Sequence, residues 1–320
     1  MRWALMACVA ALLLVSAAPV ARSQTQTPPA EPTRELAAGG LLLAPDAALV
    51  IQAYEVTLAR DEIRAVYRIV NAGPDTRTIY VTFPLPDLDM AAIGDQVVTL
   101  PKSDPQNYVG AIVTSDGAAV ALRIEQRAQA LGLDVTQDLA AAGIPLFPLG
   151  SAASRRLQRL PDATRSAFIE RGVLRLEDGR VHAAWSLKTT AFWRQEFAPA
   201  RTTTVELAYA PVTAQAALSP SVIEGLRRTH CIEPDIEAAI ASKAAAMPSG
   251  ALLQWVSYQL ANGVTWPAPA ASFRLLVRKP TADSIIATCR KGFKVVGPTV
   301  LEWIAKDFYP DDDVAVLFVR

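Results

Sequence analysis

The sequence has little with which to do chemistry. Its 320 residues contain two histidines, His182 and His230, and three cysteines. HExxH, CxxC, P-loop and Gly-x-Ser-x-Gly patterns are all missing. No metal site and no cofactor is therefore expected. Charge of one sign is missing too, since 31 basic residues balance 31 acidic ones and the arginines are scattered. Nucleic-acid binding needs clustered Lys and Arg to displace counterions, so no nucleic-acid partner is expected. Long apolar runs are confined to the N-terminus, and no later segment is long enough to cross a bilayer.

That N-terminal run is informative. Arg2 is followed by apolar residues from Trp3 to about Ala18, and Val15-Ser16-Ala17 and Ala21-Arg22-Ser23 fit a small-x-small cleavage pattern. Residues 1–23 read as a signal peptide, and residues 24–34 as a Pro-rich disordered leader. The expected location is periplasmic or secreted. Cleavage removes Cys8 and leaves Cys231 and Cys289, 58 positions apart. In an oxidising compartment two thiols most simply form one disulfide. The rival reading makes Cys231 a nucleophile beside His230, but neighbours on one chain rarely orient for thiol activation.

The 51% hydrophobic content allows a large core, although much of it is alanine. Residues 35–123 read as β. DAALVIQAYEVTLA sets Val50, Tyr54, Val56 and Leu58 on one parity, EIRAVYRIV sets Ile63, Ala65, Tyr67 and Ile69, and TRTIYVTF sets Ile79, Val81 and Phe83. The NAGPD turn predicts a hairpin in which Tyr67 faces Ile79 across one sheet. FPLPDL ends the third strand, because neither proline can donate to a ladder. Residues 124–180 read as a helical bridge, with Asp134 and Asp162 as caps and Gly143 and Gly172 as terminators. Residues 181–320 return to β, with a short helix near 234–246 and Pro234 in its first turn. The final run, VAVLFV, is apolar on both parities, which suits a strand covered on both faces. The expected fold class is mainly β (α+β), an antiparallel β-sandwich in two β subdomains joined by the helical bridge.

Trp185 and Trp193 share a parity with Leu187, Thr189, Ala191 and Phe197, so they are expected in the core rather than as a stacking platform. Phe192 alone breaks the polar face of that strand and is the candidate exposed aromatic.

Five motifs carry a resemblance: ELAAGGLLL (35–43), YRIVNAGPDTRTIYVTFPLPDL (67–88), WSLKTTAFWRQEF (185–197), HCIEPD (230–235) and KDFYPDDDVAVLF (306–318). In that order they resemble a proteobacterial exported family catalogued as domain of unknown function 4424. The resemblance spans nearly all of the chain after residue 23. It implies no reaction, ligand or catalytic residue. Trp266-Pro267-Ala268-Pro269 departs from the Trp-x-Gly-Pro-like step of that family.

Candidate binding residues are therefore sparse. Asp87 and Asp89 could be a carboxylate pair for glycoside chemistry, or simply cap the loop after FPLP. Lys188, between threonines on the outer face, could meet an anionic partner or only solvent. Asp311-Asp312-Asp313 lacks the spaced oxygens of a calcium loop. The expected function is a non-catalytic binding or accessory module of the cell envelope, with an envelope protein or glycan as partner. The alternatives are a hydrolase acting on an envelope polymer through Asp87, Asp89 or Glu196, and a purely structural envelope domain.

Overall fold

A computed structural model describes residues 33–320 except 96–97, 149–150, 248–250, 261–265, 267 and 311. The expected signal peptide, most of the leader, the Ala261-Asn262-Gly263 turn, Pro267 and Asp311 lie outside the described residues. Among the described residues no helix is long and apolar enough to cross a membrane.

Two β-sheets face each other across one continuous core. Among the described residues the large sheet has eight strands. Its centre is Leu49–Leu58, Ile63–Asn71 and Thr202–Tyr209, flanked on one side by Ala270–Arg278 and Val300–Phe308. The facing sheet is built on Ser186–Phe197, with Arg77–Pro84 on one side and Arg123–Ala130 on the other. Phe83 of the facing sheet meets Tyr209 of the large sheet with ring centroids 5.0 Å apart. The fold is thus a mainly antiparallel, sandwich-like β structure. One exception to the antiparallel rule is Ala270–Arg278, which pairs parallel with Leu49–Leu58.

The alternation read from sequence recurs in the burial. Ile63, Ala65, Tyr67 and Ile69 are buried, as are Trp185, Leu187, Ala191, Trp193 and Phe197. The tryptophans are core, and their N–H groups are satisfied there. Trp185 Nε1 donates to the Leu146 carbonyl at 2.9 Å, and Trp193 Nε1 donates to Gln195 Oε1 at 3.0 Å. Val50 departs from the expected parity. The pairing with Ile63–Asn71 slips between Ile51 and Ala53, so Leu49 and Ile51 point inward before the bulge and Tyr54, Val56 and Leu58 after it. One inserted residue reverses the parity of everything upstream.

The hairpin expected at NAGPD is not formed. Ile63–Asn71 pairs with Thr202–Tyr209, whereas Arg77–Pro84 pairs with Ser186–Phe197. The turn instead carries the chain from one sheet to the other. The segment between Phe197 and Thr202 makes the same crossing beside it. Asn71 locks the two crossings together. Its side chain donates to the carbonyls of Asp75 and Phe197, both at 2.8 Å, and accepts from Gly73 N–H. Its backbone accepts from Ala200 and donates to Arg201. The apolar parities of the two strands face each other as read, but across the sandwich and not within one sheet.

A third sheet joins Leu252–Gln259 to Val314–Val319, with Ala214–Ala217, Ile285–Ala287 and the two-residue strand Ala38–Gly39 at its margins. Val314–Val319 is covered on both faces, as its composition requires. Val314, Val316 and Phe318 join the main core. Leu317 and Val319 join a second cluster under the helices Pro220–Leu226 and Pro234–Ala245. Cys231 and Cys289 are joined by a disulfide beside this cluster.

The region expected as a helical bridge begins with the strand Arg123–Ala130. Its helices are Thr136–Ala141, Ser151–Gln158 and Asp162–Glu170. Gly143 and Gly172, both at positive φ, end two of them as read. The caps sit one residue off. Asp162 is the first helical residue after Pro161, and Asp134 Oδ1 accepts from Thr136 N–H ahead of its helix. Strands from before residue 124 and after residue 180 share both main sheets, so the core is common to both parts.

Candidate functional site

The segment Arg34–Leu43 crosses between sheets and is where the structure concentrates unusual contacts. Ala38–Gly39 pairs parallel with Tyr258 and Gln259 of the third sheet. Leu42–Leu43 then pairs with Thr82 and Val81 of the facing sheet. The link is Gly39-Gly40, and both glycines are required by close approach. A Cβ on Gly39 would stand 2.6 Å from the Gln259 carbonyl oxygen. A Cβ on Gly40 would stand 2.0 Å from the Tyr67 hydroxyl, 2.5 Å from that of Tyr258 and 3.0 Å from that of Tyr54.

Four buried phenols hold this crossing. Leu41 N–H donates to the Tyr67 hydroxyl at 2.9 Å, and the hydroxyls of Tyr54 and Tyr258 share a hydrogen bond of 2.5 Å. Tyr209 donates to the carbonyls of Ala38 and Gly39 at 3.3 and 3.2 Å. Tyr54 stacks on Tyr67 at 4.4 Å, and Trp266 meets Tyr54 edge-on at 5.5 Å. Burial raises the pKa of all four phenols, so they stay neutral hydrogen-bonding groups.

On the far side of the two glycines lies a pocket of about 300 Å³. Its walls are the Arg34–Leu42 segment, Pro84 to Asp87, and Gln259. Two of the motifs quoted from sequence, ELAAGG and FPLPD, therefore converge on one concavity. Tyr108 braces the second wall by donating to the Pro86 carbonyl at 2.5 Å. Glu35 is the unusual ionisable group. As a residue it is half-buried, but its Oε1 is fully covered and has no hydrogen-bond partner among the described residues. Desolvation raises its pKa to about 7, against the opposing pull of hydrogen bonds from Ser257.

The sequence-chosen residues fall as follows. Asp87 lines the pocket and forms an exposed ion pair with Lys188, Oδ2 to Nζ at 2.5 Å. Asp89 Oδ1 accepts from Ala91 and Ala92 N–H at 3.0 and 3.2 Å, capping the helix Met90–Asp95. Phe192 lies on the outer face of the facing sheet, 6.1 Å from the Tyr80 ring, with the Arg123 guanidinium 5.0 Å above it. Glu196 is exposed at the other end of the same strand. Asp89 pairs with Ser186 and Glu196 with Thr78, ten residues apart along Ser186–Phe197. At about 3.3 Å per residue they stand roughly 33 Å apart. A glycosidase pair needs about 10 Å or less. Asp89 and Glu196 therefore form no common cleft.

Sequence reasoning gave no site role to Glu35, the glycine pair, the four tyrosines or Gln259, because they meet only across long separations in the chain. Among the described residues no three His, Cys, Asp or Glu side chains gather as a metal site. His182 borders a second, smaller pocket of about 130 Å³ beside Met90 and Leu157.

The architecture and this pocket define a sandwich-like β protein in which two of the motifs quoted from sequence line a concavity of about 300 Å³. The family model of DUF4424, a domain of unknown function, matches residues 31–317, and the chain belongs to that family. No curated protein matches the sequence. Among solved structures, a candidate nutrient binding protein from Legionella pneumophila is similar with a TM-score of 0.46 at 12% identity, covering 90% of this chain and 72% of that one. An M1 zinc metallopeptidase from Deinococcus radiodurans (E323A mutant bound to a Tyr-Ser-Ala substrate) has a TM-score of 0.21 at 11% identity. This chain spans 42% of the length of that enzyme.

Proposed function

We propose that the protein is an exported, non-catalytic binding module of the cell envelope, and that the Arg34–Gln259 pocket is its ligand site. The observation that carries the reading is the convergence of the ELAAGG and FPLPD segments on one pocket of about 300 Å³, braced by buried tyrosines. Small-ligand sites are concave, largely preformed and carry a few fixed polar groups. Arg34, Glu35, Asp87 and Gln259 supply those groups here. Export is supported by the apolar run at residues 3–18 and by the Cys231–Cys289 disulfide. The carboxylate hydrolase alternative is disfavoured because Asp89 is engaged as a helix cap and Glu196 is remote.

The test uses protein exported with its own N-terminus and purified from the envelope fraction. A library of small polar compounds is screened by thermal shift, and envelope extract is passed over the immobilised protein. The expected result is a stabilising ligand, or an envelope protein or glycan, whose binding weakens in Gln259→Ala. Recovery of no ligand or partner sensitive to a pocket substitution would remove the basis of the reading.

A further inference from the structure

Glu35 points to the chemistry of the ligand. A carboxylate oxygen buried without a donor is costly, and proteins rarely leave one so. In this pocket the carboxylate is poised between two forms, because burial holds its pKa near neutrality. The neutral acid tolerates the missing donor. The anion requires one.

The surrounding groups do not supply it. Ser257 of the Leu252–Gln259 strand draws the pKa of the carboxyl downward but gives its buried Oε1 no hydrogen bond. The phenols of Tyr54, Tyr67, Tyr209 and Tyr258 behind Gly40 bond to one another or to backbone. Asp87 on the opposite wall is an acceptor, and Lys188 is held to it at the rim. Arg34, the neighbour of Glu35, is exposed on a long flexible stem and forms no ion pair with it. An anionic ligand would face Glu35 and Asp87 together and leave the buried oxygen as it is. The terminal torsion of a glutamate is broad, so the carboxyl can turn to meet a donor in the pocket.

Resting on the binding reading above, we propose that the pocket takes a small ligand bearing a basic nitrogen, an aliphatic ammonium, that pairs with the Glu35 carboxylate. The ammonium donates up to three hydrogen bonds, and a charge-assisted bond in a partly desolvated site is roughly twice as strong as a neutral one. Binding then favours the anion, so at pH values below about 7 it displaces a proton from Glu35.

The experiment is isothermal titration calorimetry on the full chain with 1,4-diaminobutane, acetate and glycerol as probes, at pH 5.5, 7 and 8.5. Diaminobutane should bind, with affinity falling about tenfold per pH unit on the acid side of about 7. At pH 5.5, buffers of different ionisation enthalpy should report close to one proton released per amine bound, a readout that needs no variant. Glu35→Gln should lose at least tenfold in affinity and all of the pH dependence, while Asp89→Asn, outside the pocket, should match the parent. Diaminobutane binding that is independent of pH, or unchanged in Glu35→Gln, overturns the proposal. Binding of acetate or glycerol in place of the amine overturns the ligand class and leaves the binding reading standing. Binding of none of the three also overturns the class, and the library screen then decides the binding reading on its own.

Discussion

Replacing Gly40 by alanine adds one methyl group where three hydroxyls converge. The added carbon would lie 2.0, 2.5 and 3.0 Å from the oxygens of Tyr67, Tyr258 and Tyr54. Contacts under 3.0 Å do not persist, so something must move. The tyrosines cannot retreat cheaply. Tyr54 and Tyr67 stack on each other, Tyr54 also meets Phe273 and Trp266, and all three rings are at most 3% exposed. Overpacking of this kind costs about 1–3 kcal/mol. Displacing Tyr67 also breaks its bond from Leu41 N–H, worth about 1 kcal/mol, and strands a buried hydroxyl for about 1 kcal/mol more. The sum is about 3–5 kcal/mol. In a chain of this size each kcal/mol shifts Tm by about 2–4 °C, so a fall of about 10 °C is expected.

Two companions make the measurement specific. Gly225→Ala lies in the helix Pro220–Leu226 with open space around its Cβ, and should raise stability by about 0.5–1 kcal/mol. Tyr67→Phe removes the oxygen nearest the new methyl group. In a double-mutant cycle it should recover more than about 1 kcal/mol of the Gly40→Ala loss. Calorimetric unfolding of the parent, the three single variants and the Gly40→Ala/Tyr67→Phe double variant is the assay. A Gly40→Ala protein within about 0.5 kcal/mol of the parent would refute the reasoning. It would mean that the phenols yield freely and that the pocket floor is not rigid.

Further expectations concern the clamps of the fold. Cys231→Ser with Cys289→Ser opens a loop with a sequence separation of 58 and should cost about 4 kcal/mol in denaturant unfolding, with little change in the folded structure. Asn71→Ala removes the bonds to Asp75 and Phe197 at the sheet crossing and should cost about 2–4 kcal/mol, far more than the exposed Asp87→Asn, which should fall within about 1 kcal/mol. His230 is 2% exposed and burial lowers its pKa to about 4. The unfolded chain therefore takes up the proton first, and stability should fall as pH drops from about 6.5 to 4, by roughly 3 kcal/mol. His230→Phe should flatten that acid limb in a pH series of melts. Glu35 acts in the opposite sense. Its raised pKa makes its contribution complete below about pH 4.5 and lost as pH rises through about 7, so Glu35→Gln should flatten the neutral limb.

Much of the β structure was legible because burial imposes a period of two. The inward positions of Ile63–Asn71, Thr202–Tyr209 and Ser186–Phe197 follow from alternation alone, and the doubly apolar VAVLFV announced its two covered faces. What alternation does not encode is the partner. Two strands with facing apolar sets and a short turn satisfy the pattern equally as a hairpin or as a crossing between stacked sheets. Asn71 decides it here, by bonding to Phe197 rather than leaving the turn free to close. The bulge near Gln52 is hidden for a similar reason, since one extra residue shifts parity without changing composition. The helix Pro220–Leu226 had a readable signal that was passed over, a serine cap followed by proline. Ser219 Oγ does accept from Val222 N–H.

The site was harder to read than the fold because its parts act through proximity. Nothing in ELAAGG states that Gly40 will meet tyrosines from positions 54, 67 and 258, or that FPLPD will form the opposite wall. The glycines are there because two other pieces of the protein come too close for a side chain. That closeness has a consequence for the acid that precedes them. A chain pressed this tightly against Tyr258 and Gln259 holds Glu35 partly out of water, where its ordinary charge is no longer favoured. The packing that demands Gly-Gly is thus the same packing that brings a carboxyl group to the point of ionising near neutral pH. Gly40→Ala should accordingly do more than destabilise. If the crossing loosens and water reaches Glu35, its pKa should fall toward the ordinary carboxylate range, which NMR titration of the side-chain carboxyl can follow. A Glu35 that still titrates near pH 7 in a loosened Gly40→Ala protein would break the link between the glycines and the acid.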